Sequence, residues 1–227
     1  KGGAYVNGLV VESFGGGICQ VSTTLYNAAL NAELEITQRF NHSMIVTYVD
    51  PAADAAIAGE YKDLRFKNNY DTPIYIEGYC SGGVITFNIF GHETREAGRE
   101  VKFQSETISE TIPDTQINLT SAQNMGYVHT EQSAHKGIVA RLWKIVTVNG
   151  EEQSREIFNN STYNASPKIV TIGTGGASAE QLSAMQAAAA AHDEATVKSI
   201  AASGPAQQQQ QPAQDPAQQP QQPAQDP

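Results

Sequence analysis

Apolar residues at Val21, Leu25, Ala28, Ala29 and Ala32 recur at i, i+4, i+7, i+8 and i+11, the stripe of one helical face. The spacing predicts a helix that starts just after Cys19, with Ser22 or Thr23 near its cap. Further along, the pattern becomes that of strands. The run Ile74 to Tyr79, ending in Cys80, and the run Val84 to Phe90 flank Ser81-Gly82-Gly83, which predicts a hairpin with Cys80 at its tip. A second hairpin is expected where Asn149-Gly150, a favoured two-residue turn, separates the β-branched run Ile145 to Val148 from the alternating segment Gln153 to Phe158. Ser178-Ala179-Glu180-Gln181 then reads as a capping box that opens an alanine-rich helix running to about Ala202 and closed by Gly204-Pro205. Few large apolar residues lie on that helix, so it is expected to be weakly docked or solvent-exposed. From Ala206 onward only Pro, Gln, Ala and Asp remain, a composition that cannot bury enough surface to fold. An extended tail follows from this, either plain low-complexity disorder or an extended spacer.

These elements make an α+β fold: a helix packed on antiparallel sheet, followed by a small all-β module and a disordered Pro/Gln-rich tail. A chain of 227 residues holds one large or two modest domains, and 40% hydrophobic residues is enough for two cores. The expected division is 1–95, 105–175, the helix 178–203 and the tail 204–227. A formal charge of −10 argues against nucleic acid, and against binding anionic polymers or lipid by bulk attraction. No run is long and apolar enough to span a bilayer, and no signal peptide is present. Because Lys1 already lies inside the first segment, the chain is read as a fragment without its export signal or anchor. His92, His129, His135 and His192 lack the paired spacing of zinc motifs, and the glycine run ends in cysteine where a phosphate loop would need lysine. Neither metal nor cofactor is expected.

Candidate chemistry centres on Gly15-Gly16-Gly17-Ile18-Cys19-Gln20, which sets a thiol between a glycine turn and a helix start. Unpaired N–H groups and the positive end of a helix dipole favour thiolate over thiol, and a glycine turn lets backbone amides face a substrate carbonyl as an oxyanion site. The plain alternative is a buried cysteine beside a tightly packed turn. His42, in Arg39-Phe40-Asn41-His42-Ser43 just past the expected helix end, would be partly solvated with a near-ordinary pKa, as suits a general base. Asp54 lies in a loop from which it could orient that ring, though Asp63 and Asp71 could do the same. The rival to catalysis is a disulfide, since Cys19 and Cys80 are the two cysteines of the chain. A cysteine at a hairpin tip need not approach the helix start, and a free, partly exposed Cys80 is the expected state.

The block Gly15 to Ala29, then Arg39 with Asn41-His42-Ser43, then Asp63 to Asn69 and Pro73-Ile74-Tyr75-Ile76, resembles the successive blocks of the VanW domain over about residues 1 to 95. The resemblance implies a bacterial envelope protein, Gram-positive by expectation, linked by name to vancomycin resistance, with some members acting as L,D-transpeptidases. It makes Cys19 the nucleophile on a peptidoglycan stem peptide and His42 the proton shuttle, supported by Asp54. Gly16, Gly17 and Gln20 would line the substrate, and Arg39 and Ser43 would hold its carboxylate. Where the family shows Gly-Leu-Asp-Ala-Thr-Val, this chain has Ala52-Ala53-Asp54-Ala55-Ala56-Ile57, which keeps the aspartate and lacks the threonine hydroxyl. Thr147 to Glu152, Ser154-Arg155-Glu156 and Pro167 to Thr174 resemble the G-five domain, an extracellular β module. That resemblance implies adhesion or binding of cell-wall glycans, against a simple spacer role. Three functions follow: a cysteine-dependent transpeptidase, a non-catalytic wall-binding protein with a structural Cys19, and a cysteine peptidase or amidase acting on stem peptides.

Overall fold

The computed structural model describes residues 17–205 and, as backbone only, two strands before them. Those strands, β1 (Gly2–Val6) and β2 (Leu9–Ser13), pair antiparallel. Gly16 and the tail from Ala206 lie outside the described residues. Helix α1 (Ile18–Asn31) leads into β3 (Glu35–Gln38), which pairs antiparallel with β4 (Arg65–Lys67). The hairpin β5 (Tyr75–Ser81) and β6 (Val84–Phe90) turns at Gly82-Gly83, both at positive φ, with Cys80 opposite Ile85. Both cysteines are free, Cys80 exposed and Cys19 half-buried.

The second part is mostly β. Strands β7 (Arg99–Thr111), β8 (Thr115–Asn124), β9 (Val128–Gln132), β10 (Gly137–Val148), β11 (Glu151–Tyr163) and β12 (Lys168–Gly175) form two three-stranded sheets, ordered β11-β10-β7 and β8-β12-β9. The β10–β11 hairpin turns at Asn149 (φ 53°) and Gly150 (φ 85°), the two positive dihedrals a type I′ turn needs. One pair is parallel: β12 runs alongside β8 in the same direction, a pairing that two-residue turns cannot make. Its Gly173 is forced by proximity, since a Cβ there would collide with the Asn124 carbonyl oxygen.

The principal core joins the two parts of the chain. Tyr26 and Leu30 of α1, Ala52, Ala53 and Ala55 of the following loop, Ile138, Ala140 and Leu142 of β10, and Tyr163 of β11 pack as one buried cluster. Between Leu142 and Trp143 the register with β11 skips Phe158, a bulge whose extra ring packs edge-on to Phe103, 5.2 Å between centroids. The buried face of α1 is Ser22, Thr23, Tyr26, Ala29 and Leu30, whereas Val21 is exposed. The predicted stripe is thus rotated by about one residue. Polar anchoring explains the rotation: Thr23 exchanges hydrogen bonds with the Ala55 main chain, and Asn27 donates to the Ala53 carbonyl at 2.9 Å.

The alanine-rich segment is two helices instead of one. The capping box at Ser178 and Gln181 starts α2 (Ala179–Ala190), His192 takes φ 57°, and Asp193 caps α3 (Glu194–Ala202). Nor is the segment weakly docked. Met185 and Val197, both fully buried, close over Val170 and Ile172 of β12 with Ala188 and Ala201, so small residues let the helices lie close to the sheet. Met185→Ala is expected to destabilise the fold by about 2–5 kcal/mol, read as a lower urea midpoint at unchanged slope. An effect below about 0.5 kcal/mol would contradict docking. Among the described residues, no helix is long and apolar enough to cross a membrane.

Candidate functional site

Helix α1 begins at Ile18, before Cys19, because Gly17 takes φ 99° and caps it; its carbonyl accepts from the Gln20 and Val21 amides at 3.0 and 3.3 Å. The expected caps Ser22 and Thr23 lie inside the helix. Cys19 is therefore its second residue, where main-chain N–H groups lack partners within the helix and the dipole is positive. No acidic residue sits in that first turn to cancel the effect.

The long connection between β3 and β4 carries Arg39, His42 and Asp54. Asp54 is fully buried, and each of its oxygens meets two donors. Oδ2 lies 2.6 Å from His42 Nδ1 and accepts from the His42 main-chain N–H at 2.7 Å. Oδ1 accepts from Arg39 Nη2 at 2.7 Å and from the Tyr163 hydroxyl at 2.5 Å. With Nδ1 committed to the carboxylate, Nε2 is the ring nitrogen left for other partners, and the Tyr48 hydroxyl lies 3.3 Å from it. The Cys19 thiol titrates under the influence of the same ring, which brings thiol, imidazole and carboxylate into one neighbourhood. On its other side the Cys19 sulfur lies 3.5 Å from the Ile57 carbonyl oxygen.

Charge follows from this arrangement. The hydrogen bond to His42 draws the Cys19 pKa below its ordinary value against the opposing effect of burial, with a smaller contribution from the Lys62 ammonium, which donates to the Asn41 carbonyl at 2.9 Å. For His42, burial disfavours the charged ring, but the hydrogen bonds to Asp54 and Cys19 outweigh it and raise the pKa to about 9. Burial likewise pushes Asp54 upward, and the donors His42, Tyr163 and Arg39 overcome it and hold the carboxylate below its usual range. These shifts favour a thiolate facing an imidazolium braced by a carboxylate. His42 is thus neither solvated nor ordinary in its titration, as its place in a loop suggested; it is 9% exposed.

The remaining predicted residues divide. Gly17 caps the helix and Gln20 is exposed one residue beyond the thiol. Arg39 does not face outward toward a substrate carboxylate. Its guanidinium is buried behind Asp54, with Nε on the Asp54 carbonyl at 2.6 Å, Nη1 on Ser161 Oγ at 2.8 Å, and Tyr26 beneath it at 5.7 Å. Ser43 is exposed, and its carbonyl accepts from the Asn164 N–H at 2.7 Å. Of the rival carboxylates, Asp63 pairs with Arg65 at the surface and Asp71 is exposed. Sequence reasoning missed Tyr163, Ser161 and Tyr48; the alternation of Asn159, Ser161 and Tyr163 on one strand face was the signal that pointed inward.

Residues 1–90 match the family described as VanW like protein, and residues 104–175 match the G5 domain. The chain carries a VanW domain followed by a G5 domain. YoaR of Bacillus subtilis (strain 168), an uncharacterized protein, is 42% identical over 88 residues, which are 39% of this chain and 29% of YoaR, so the chain spans less than a third of that relative. An IgA1 protease G5 domain structure is 38% identical, covering 34% of this chain and 93% of that one, with a TM-score of 0.24. The HP0197-G5 crystal structure is 16% identical over 33% of this chain and 99% of that one, with a TM-score of 0.19. VanW and G5 domains are typical of extracellular or envelope proteins, and G5 domains are associated with cell walls and carbohydrate binding. The candidate site belongs to the VanW domain, yet Tyr163 and Ser161 come from the G5 domain.

Proposed function

We propose that this cell-wall-associated protein is a cysteine acyltransferase acting on peptidoglycan stem peptides, an L,D-transpeptidase in reaction type. The observation that carries the reading is a buried carboxylate holding the His42 imidazole in the neighbourhood of a thiol at a helix N-terminus, with the ring drawing the thiol's pKa down. In the first step the Cys19 thiolate attacks the carbonyl carbon that precedes the terminal D-alanine. First-turn amides of α1 face the developing oxyanion. The C–N bond breaks as the His42 imidazolium gives its proton to the leaving amine, and a thioester remains. An acceptor amine from a neighbouring stem then attacks the thioester, His42 takes up its proton, the new amide forms and the thiolate is restored. Asp54 stays ionised throughout and holds the ring. Arg39 holds Asp54 in this scheme and not the substrate.

The test is incubation of muropeptides carrying tetrapeptide stems with the native chain and with Cys19→Ala, followed by mass analysis. Cross-linked dimers and free D-alanine are expected from the native chain, and a loss of at least about 1,000-fold is expected without the sulfur. Shortened stems without dimers would assign hydrolysis in place of transfer. Equal, unconverted stems in both samples would leave a wall-binding protein.

A further inference from the structure

The buried carboxylate behind His42 is not completed by the VanW domain. Its Oδ1 takes one of its two hydrogen bonds from Tyr163, at the end of β11 in the G5 domain, 109 positions along the chain. The same phenol oxygen accepts from the Ala52 N–H at 2.8 Å, so a single hydroxyl pins both the side chain of Asp54 and the main chain of its loop. Two residues earlier, Ser161 accepts from Arg39 Nη1 at 2.8 Å and is itself 3% exposed. Two earlier again, Asn159 donates to the Tyr26 hydroxyl at 2.9 Å and to the Ala52 carbonyl at 3.2 Å. Alternate residues of a strand share a face, and here that face is polar, buried and aimed at the loop that carries Asp54. A spacer domain has no need of such a row; apolar side chains would join two cores at lower desolvation cost.

We infer that the G5 domain is part of the chemical unit, with Tyr163 and Ser161 as positioning residues that fix Asp54 behind His42. The inference rests on the reading of Cys19 as an activated thiolate. Tyr163 never reaches the thiol. It acts by helping to hold Oδ2 toward the ring, since without the phenol Oδ1 would be held by Arg39 alone and the carboxylate would be less firmly fixed. Burial and the neighbouring carboxylate both raise the Tyr163 pKa, so the phenol remains a donor across the working range. A change in β11, far from the helix, should therefore be felt at the sulfur.

The experiment follows alkylation of Cys19 by iodoacetamide against pH in the full chain, with exposed Cys80 in the same sample as the rate reference. In the native chain the rate should reach half its plateau well below the free-cysteine value of about 8.5. In Tyr163→Phe that midpoint should move up by about half a pH unit or more, and the rate at neutral pH should fall about tenfold. Ser161→Ala should move it the same way by less; it leaves the phenol in place and decides the matter if Tyr163→Phe fails to fold. A purely structural role for β11 would lower the melting temperature and leave the midpoint where it was. An activated native thiol with unmoved midpoints in both variants overturns the inference and spares the reading of Cys19. A native midpoint at the free-cysteine value overturns the reading itself.

Discussion

Turnover of muropeptides by Asp54→Asn is expected to fall by roughly 10,000-fold, the loss that follows when the orienting carboxylate of a nucleophile–base–orienter triad becomes an amide. The geometry makes the substitution unforgiving. Oδ2 faces two donors, the His42 main-chain N–H and ring Nδ1, while Oδ1 faces Arg39 and Tyr163. An amide has one oxygen. Whichever way the new side chain turns, its NH2 group meets donors, and the simplest relief is for His42 to carry its proton on Nε2, where it can no longer accept one. The same change leaves Arg39, whose side chain is 7% exposed, without its countercharge, and breaking a buried pair costs about 3–5 kcal/mol. Kinetics and urea unfolding of the purified variant read the two effects separately. Activity within about tenfold of native would remove Asp54 from the mechanism.

The second large effect concerns stability against pH. His42 has its pKa raised to about 9, so by itself it contributes stability that is fully present below the unfolded value of 6.5 and is lost as pH rises through 9. At 1.36 kcal/mol per unit that loss would be on the order of 3 kcal/mol. Cys19 has its pKa lowered from 9.0, so its contribution is present above that value and lost as pH falls through the folded one. The two slopes oppose each other. Between about pH 6.5 and 9 the opposing Cys19 slope should make the fall in unfolding free energy smaller than the roughly 3 kcal/mol of His42 alone. On the acid side stability should decline as the lowered Cys19 and Asp54 groups take up their protons, Asp54 below its unfolded 3.8. Urea titrations at half-unit steps give the curve. A fall of about 3 kcal/mol across the window would mean that Cys19 stays a neutral thiol and that no ion pair forms.

Part of this site is legible in the sequence. The placement of Cys19 between glycines and a helix depends on residues within a few positions, and so does the I′ turn at Asn149-Gly150, where two successive positive φ angles select the residue types. The choice among carboxylates is not legible. Asp63 has a local partner in Arg65 two residues on, whereas Asp54 acquires its partners only when two separate segments, the stretch from Arg39 to His42 and the end of β11, close around it. The rotation of α1 has a similar origin, because Thr23 and Asn27 are anchored to the main chain of Ala55 and Ala53, 32 and 26 positions along the chain. The break in the alanine-rich segment is hidden because alanine favours helix throughout, and only the packing of Met185 and Val197 onto β12 requires the chain to double back at His192.

By itself the sequence determined the order of the two domains, through the motif blocks that resemble each family, and the exposed hairpin cysteine and the thiol near a helix start, through short-range periodicity and turn geometry. Tertiary structure alone decided that His42 is buried and charged, that Arg39 turns inward, and that a tyrosine from the G5 domain meets Asp54. Those are long-range facts: a hydrogen bond between residues 109 positions apart depends on strand register and a shared core, which no local pattern encodes.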